Sequence, residues 1–151
     1  MPVVGIDGAM LGRIEEAEAP TLAALMADGQ TSRTSLPCSP HHPTLSGVGW
    51  SSIATGVWPA KHKVRDNTFA GNDFAACPDF LTRIEQAKAS LDTCAISSWP
   101  ELTSATNGGP VFPGADHAVA TPKEQYDNGT TETAVAHLAR PRPPARGRPR
   151  R

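Results

Sequence analysis

Two residues have types and settings that could do chemistry: the carboxylate of Asp7, a possible metal ligand, and the hydroxyl of Ser46, a possible nucleophile. Asp7 follows the apolar run VVGI at residues 3–6 and precedes Gly8. A short β-branched run of this kind reads as a strand buried on both faces, as in a parallel sheet. Ligands of open α/β sheets bind beyond the carboxyl ends of the strands. A carboxylate at that end is placed to hold a metal ion, and Gly8 lets the chain turn. The same Asp-Gly pair also serves many α/β proteins as a plain turn. Ser46 precedes the run GVGWSSIAT, residues 47–55, which reads as a helix closed by Gly56. Ser46 is therefore expected near the N-cap, where unpaired N–H groups and the positive end of the helix dipole attract anions. An ordinary capping serine would occupy the same place. A metal beside the hydroxyl would lower its pKa and make it a usable nucleophile.

The elements that must position these groups alternate. Residues 20–28 read as a helix, with Pro20 in the first turn, Leu22, Leu25 and Met26 on an apolar face, and Gly29 at its end. Residues 31–36 suit a second strand, and residues 37–43 form a loop rich in Pro, Ser and His. In the helix over residues 47–55, Trp50 and Ile53 are expected to face inward. Residues 78–88 give the clearest helical pattern, with Phe80, Leu81, Ile84 and Ala87 on one face. Residues 92–96 read as another strand. Residues 99–129 are rich in Gly, Pro, Thr and Asn and read mostly as loop. A last helix is expected over residues 131–139, capped by Asn128 or Thr130. No internal repeat is present. The pattern predicts an α/β fold with a mostly parallel sheet flanked by helices.

Three segments in order, VVGIDGA, APTLAALMADG and TLSGVGWSSIATGVWPAKHKVRDN, resemble the alkaline phosphatase superfamily. The closest branch is the type I phosphodiesterase/nucleotide pyrophosphatase group. There, an early strand ends in a metal-binding Asp-Gly, and a helix of the form TP-x-L-x-x-L-x-x-x-G follows. The nucleophile then stands ten residues before the Gly of a T-G-x-x-P-x-x-H-G segment. In this chain, counting back ten residues from Gly56 reaches Ser46, and residues 55–62 match the rest of that segment. The resemblance is strong over residues 3–69 and weak from there to residue 139. It implies that Asp7 binds one metal ion and that Ser46 bridges metal and phosphorus, forming a covalent phospho-enzyme that metal-bound water hydrolyses. It also implies two divalent ions, zinc in the family, and a small phosphate-ester substrate. That substrate would be a phosphodiester or nucleotide pyrophosphate, or else a phosphomonoester.

Three positions depart from the family pattern. Ser46 stands where the branch often has Thr, a chemical equivalent. Gly49 replaces a phosphate-binding Asn, which leaves the backbone N–H of Gly47 as the candidate phosphate contact. Lys63 replaces the Gly after His62, so that His62 and Asp66-Asn67 read as structural or rim residues. Thr44 is the neighbouring hydroxyl, but the count from Gly56 selects Ser46. His41-His42 read as exposed loop residues rather than ligands. Asp116-His117 imitates the family's metal-binding Asp-His pair, but the family's own pair lies much further along the chain. Trp50, Trp58 and Trp99 read as packing.

Composition narrows the alternatives. The chain has 151 residues and a net charge of −1. Residues 140–151, RPRPPARGRPRR, hold six arginines and no acid, which leaves 8 basic against 15 acidic residues in residues 1–139. A body of net charge −7 does not suggest nucleic-acid binding. No apolar run approaches the ~18 residues of a membrane span. No signal peptide precedes residue 3, so either the protein stays in the cytoplasm, as the sequence stands, or its true N-terminus is missing; members of the resembled family are often exported. Cys38, Cys77 and Cys94 form no C-x-x-C pair and read as small buried or half-buried residues.

Each catalytic zinc takes ~3 protein ligands. The family's remaining Asp and His ligands come from a second half that this chain lacks. The expectation is therefore a truncated member, with residues 1–139 as the N-terminal part of the catalytic domain. Residues 140–151 read as a basic arm for nucleic acid or anionic lipid, as a disordered, solvated Arg/Pro-rich tail, or, the favoured reading, as a continuation out of frame, and activity is expected to be weak or absent. A non-catalytic fragment or binding module is the alternative from another class. A sulfatase ranks lower, because no C/S-x-P-x-R motif is in register with Ser46.

Overall fold

The computed structural model describes residues 1–32 and 44–141. The chain divides into two compact units, residues 1–38 and residues 39–151.

In the first unit, residues 1–6 run without regular structure, and Asp7-Gly8 form a turn with Gly8 at φ +68°. Helix α1 is Leu11–Glu16, and α2 is Pro20–Asp28, where the sequence places it. Pro20 starts α2 because its fixed φ suits a first turn and its missing N–H would have no partner there. Gly29 ends it, donating its N–H to the Leu25 carbonyl at 2.9 Å. Neither helix contains a buried residue. Of the expected apolar face, Leu22 and Met26 are half-buried and Leu25 is exposed.

The expected strand over residues 3–6 does not form. Val3, Val4 and Ile6 are 67%, 82% and 53% exposed. A strand buried on both faces needs neighbours to take its N–H and C=O groups. The sheet among the described residues has two strands, both from the second unit, which pair with each other. The other expected strand, at residues 31–36, has no regular structure at residues 31 and 32; its remainder lies outside the described residues.

The second unit carries the α/β core. Its elements are α3 (Ser46–Thr55), α4 (Pro59–His62), α5 (Phe80–Ala87), β1 (Cys94–Ser97), α6 (Pro100–Thr103), β2 (His117–Ala120), a 3₁₀ turn (Lys123–Gln125) and α7 (Tyr126–Leu138). Strands β1 and β2 are parallel and in register, Cys94 opposite His117 and Ser97 opposite Ala120. Parallel neighbours need a crossover connection, and residues 98–116 with α6 provide it. The core gathers Val48, Ala54, Val64, Phe69, Leu102 and Val111, with Trp50, Phe74, Trp99 and Phe112 against it. Phe69 and Trp99 meet with ring centroids 5.2 Å apart. Trp50 and Trp99 are therefore packing residues, whereas Trp58 is 52% exposed. Ile53, expected to face inward, is 63% exposed. The inward face of α3 is made instead by Val48, Ser51, Ala54 and Thr55.

The loop expected over residues 99–129 contains α6, β2, the 3₁₀ turn and the start of α7. A four-residue strand has almost no local signal, and β2 exists because it pairs with β1, 23 residues back. Helix α7 begins five residues before the expected start. Gly129, which looks like a breaker, is buried inside α7. A Cβ there would lie 2.5 Å from Gln125 Oε1, so a glycine lets that side chain pack close. None of the described helices is long and apolar enough to cross a membrane.

Candidate active site

Ser46 is the first residue of α3, and Leu45 is the N-cap, with φ −76° and ψ 140°. The expectation of a serine near the cap is thus displaced by one position, which matters chemically. A capping serine commits its oxygen to an N–H of the first turn. Ser46 lies inside that turn and is half-buried, and its hydroxyl makes no hydrogen bond among the described residues. It keeps the positive end of the helix dipole without being used as a cap.

The rest of α3 explains how so polar a helix is packed. Ser51 is fully buried and donates its hydroxyl to the Gly47 carbonyl at 2.6 Å. Thr55, 5% exposed, does the same to the Ser51 carbonyl at 2.7 Å. Both hydroxyls satisfy themselves one turn back, so their burial leaves no orphan. Gly56 ends the helix at φ +71°, its N–H bonded to the Ser52 carbonyl at 2.9 Å.

Gly47, the candidate phosphate contact, is buried and already engaged. Its N–H donates to Asn67 Oδ1 at 2.8 Å. A Cβ on Gly47 would come within 2.6 Å of the Asp66 carbonyl oxygen, so residues 66–67 rest directly on the first turn of α3. In this structure the Gly47 N–H is held by Asn67 rather than presented to a ligand. The Asp66 carboxylate accepts from the Thr68 hydroxyl at 2.6 Å and the Thr68 N–H at 2.8 Å. These bonds hold it below the usual carboxylate range, the hydroxyl contributing most. Asn67 and Thr68, with Ala70, Asn107 and Gly108, line an open cavity of about 490 Å³. The sequence reading missed Asn67 as an anchor; nothing local in DN marks a bond to a residue 20 positions earlier.

His62 is fully buried. Its Nδ1 accepts the Val64 N–H at 3.1 Å, and its Nε2 lies 3.0 Å from Ser52 Oγ. It is a structural residue, as the sequence suggests. Lys63 follows at φ +65°, a left-handed backbone that suits the Gly of the resembled motif better than a lysine.

Asp7 lies in the turn of the first unit, exposed. Ser46 and Gly47 lie in the second unit. His41-His42, Cys38 and residues 142–151 lie outside the described residues. Among the described residues, no group of three or more His, Cys, Asp or Glu side chains is arranged to hold a metal ion. The described residues therefore do not fit a zinc site, which needs about three protein ligands per ion.

Asp116-His117 has a structural task at the start of the sheet. Asp116 Oδ2 accepts the Thr93 N–H at 3.3 Å, and His117 Nε2 sits 3.1 Å from Asp92 Oδ1. Cys77 is buried, and burial, then the neighbouring charge of Asp92, pushes the Cys94 thiol up against a smaller opposite pull from Arg140. A raised thiol is a poor nucleophile or ligand.

Residues 2–132 match the family of type I phosphodiesterase / nucleotide pyrophosphatase. The chain belongs to this family. No curated protein matches the chain, and no solved structure does. The family match runs through the Asp7 turn, α3, the residues 66–67 contact and both strands, and stops inside α7. It agrees with the alkaline phosphatase superfamily motifs and with the parallel α/β core. The family is one of phosphodiesterase and pyrophosphatase hydrolases.

Proposed function

We propose that this phosphodiesterase-family chain carries the nucleophile side of a phosphate-ester hydrolase site, with Ser46 as the attacking residue. The observation that carries the reading is the uncommitted hydroxyl of Ser46 in the first turn of α3, ten residues before the left-handed Gly56. The N-terminus of α3 favours the approach of an anionic phosphoryl group. In the attack, the Ser46 Oγ–P bond forms and the bond from phosphorus to the leaving oxygen breaks. The hydroxyl proton passes to solvent and the leaving oxygen takes one from it; water then cleaves the Ser46 Oγ–P bond, restoring the hydroxyl and releasing a phosphomonoester, or inorganic phosphate when the substrate is itself a monoester. The substrate class is a small phosphodiester, nucleotide pyrophosphate or phosphomonoester. Nucleic acid and membranes are not expected partners.

The family resemblance adds two divalent ions, zinc by preference, with Asp7 and Ser46 among their ligands. In the family such ions neutralise charge on the attacking and leaving oxygens. Because the described residues assemble no three-ligand cluster, a weakly active or non-catalytic chain is the second reading.

Hydrolysis of bis-p-nitrophenyl phosphate and p-nitrophenyl phosphate with added zinc, in the full chain and in Ser46→Ala, tests the proposal. Turnover lost in Ser46→Ala supports the nucleophile. Turnover unchanged in that variant sinks it. No turnover, together with no stoichiometric zinc by calorimetry, establishes the non-catalytic reading.

A further inference from the structure

Two Asn-Gly pairs occur in the chain, Asn107-Gly108 and Asn128-Gly129, and the fold treats them differently. Asn107-Gly108 forms an exposed turn between α6 and β2. Its backbone is left-handed at both residues, with φ +43° at Asn107 and φ +83° at Gly108. Asparagine is among the few side-chain-bearing residues that accept such a φ, and glycine accepts it freely. Gly108 is fixed for a second reason: a Cβ there would lie 2.9 Å from the Phe69 carbonyl oxygen and 3.0 Å from that of Thr68. The turn therefore demands the dipeptide most open to loss of its side-chain amide. Glycine leaves the backbone nitrogen after an asparagine uncrowded, and the Gly108 N–H makes no hydrogen bond among the described residues. Asn128-Gly129 lies within α7, with Gly129 buried. A helical backbone directs its N–H groups along the axis and its side chains outward, which keeps the same two groups apart.

We propose that Asn107 is a deamidation site, a modification that the turn itself selects. Solvent base takes the proton of the Gly108 N–H, and the nitrogen attacks Asn107 Cγ. The N–Cγ bond forms, the Cγ–Nδ2 bond breaks, and Nδ2 leaves as ammonia with a proton returned from water. The product is a cyclic imide. Water then opens it at Cγ to give aspartate, or at the main-chain carbonyl carbon of residue 107 to give isoaspartate.

The modification acts on a bond already in place. Asn107 Nδ2 donates to Glu101 Oε1 at 2.7 Å. Glu101 is held in α6, and its carbonyl accepts the Val111 N–H at 3.2 Å. Replacing Nδ2 by an oxygen turns the donor into an acceptor and sets two carboxylates against each other. Isoaspartate also lengthens the main chain of the turn by a methylene, beside a Gly108 carbonyl that accepts from Asn72 Nδ2 at 2.9 Å. Either product loosens the connection between β1 and β2. Either also adds negative charge to the open cavity that Asn107 and Gly108 help to line.

The test incubates the full chain in mildly alkaline buffer, folded and in urea, and follows both asparagines by peptide mapping with mass spectrometry. In the folded chain Asn107 should gain the mass difference between OH and NH2 and yield both aspartate and isoaspartate. Asn128 should react at least about 10-fold more slowly, because α7 must open first. In urea the two should react at similar rates. Asn107→Asp, the simpler product, should lower the melting temperature by about 2–4 °C. Adding Glu101→Gln, which restores a donor to the pair, should return most of that loss. Equal rates at the two sites in the folded chain, or an Asn107 that stays intact while the urea sample converts, would overturn the proposal. A melting temperature for Asn107→Asp equal to that of the unaltered chain would overturn the effect on the turn. None of these readouts uses turnover, so they stand apart from the reading of Ser46.

Discussion

The imidazole of His62 holds two elements together: its Nε2 lies 3.0 Å from Ser52 Oγ on α3, while its Nδ1 accepts the Val64 N–H at 3.1 Å. The second bond fixes the tautomer. A neutral ring has one lone pair on nitrogen, and the Val64 N–H takes it, so Nε2 carries the proton and donates to Ser52. Ser52 and His62 therefore do not form a nucleophile–base pair, because the nitrogen facing the hydroxyl has no lone pair to accept its proton. The pair is a staple between α3 and the end of α4.

Burial lowers the pKa of His62 below the ordinary histidine range; the interaction of the ring with the backbone of His62 itself opposes this with a smaller effect. The unfolded chain then binds a proton at a pH where the folded chain still excludes it. Stability is full above the ordinary histidine range and is lost as the pH falls through the lowered folded value. Thermal melts of the full chain should show a melting temperature that drops between about pH 7 and pH 5, on the scale of histidine titration. His62→Gln, which cannot titrate, should be less stable at pH 7.5 and should show a flatter profile. A profile as steep in His62→Gln as in the unaltered chain would assign the pH response to other groups.

The same geometry shows which parts of the molecule the sequence made legible. Helix α2 was readable because Pro20 and Gly29 mark its ends, and α5 because the spacing of Phe80, Leu81, Ile84 and Ala87 is a local signal. Strand β1 was readable from the apolar run that contains it. Strand β2 was not, since HAVA forms a strand only through its partner 23 residues back. Residues 3–6 failed in the opposite direction: their apolar pattern satisfies a strand template, but a strand requires a paired neighbour. At the site, the motif count from Gly56 located Ser46, while its position inside the first turn rather than at the cap depended on the backbone of Leu45. The engagement of Gly47 by Asn67 is a long-range contact with no sequence signature.

Gly47 and Gly49 give opposite predictions, although both are glycines in the same helix. A Cβ on Gly47 would meet backbone, not a flexible side-chain tip, so the loop must move. Gly47→Ala should destabilise the chain by about 1–3 kcal/mol, the cost of overpacking a tight contact. A Cβ on Gly49 meets nothing within 4 Å. Gly49→Ala should therefore stabilise it by about 0.5–1 kcal/mol through the helix propensity of alanine. Urea titrations of the two variants should move their midpoints in opposite directions; movement in the same direction would contradict the close approach of residues 66–67.

Asp79 is the one N-cap of a helix among the described residues whose side chain accepts from that helix's own first-turn N–H groups. It takes those of Leu81 at 2.9 Å and Thr82 at 3.1 Å while only 1% exposed. Asp79→Ala should cost about 1 kcal/mol, within the usual 0.5–2 kcal/mol range for a lost cap. Asp79→Ser, which keeps an acceptor oxygen, should recover part of it. Equal melting temperatures for Asp79→Ala and the unaltered chain would show that α5 does not depend on its cap.

Lys63 stands at φ +65°, a left-handed conformation that costs a side-chain-bearing residue about 1–2 kcal/mol and glycine almost nothing. Its N–H closes α4 on the Pro59 carbonyl at 3.0 Å, so the conformation is imposed by the turn rather than chosen by the lysine. The compensation within the side chain is small: Nζ donates to the Ala60 carbonyl at 2.6 Å, but the bond is exposed and competes with water. Lys63→Gly, which restores the residue the family pattern favours, releases the strain but frees the unfolded backbone further. The strain is the larger of the two, so Lys63→Gly should gain about 0.5–1 kcal/mol. Lys63→Ala separates the effects, since alanine keeps the strain and loses only the Nζ bond. It should be no more stable than the unaltered chain. If denaturant melts place Lys63→Ala above Lys63→Gly, the left-handed backbone at this turn is not what limits its stability.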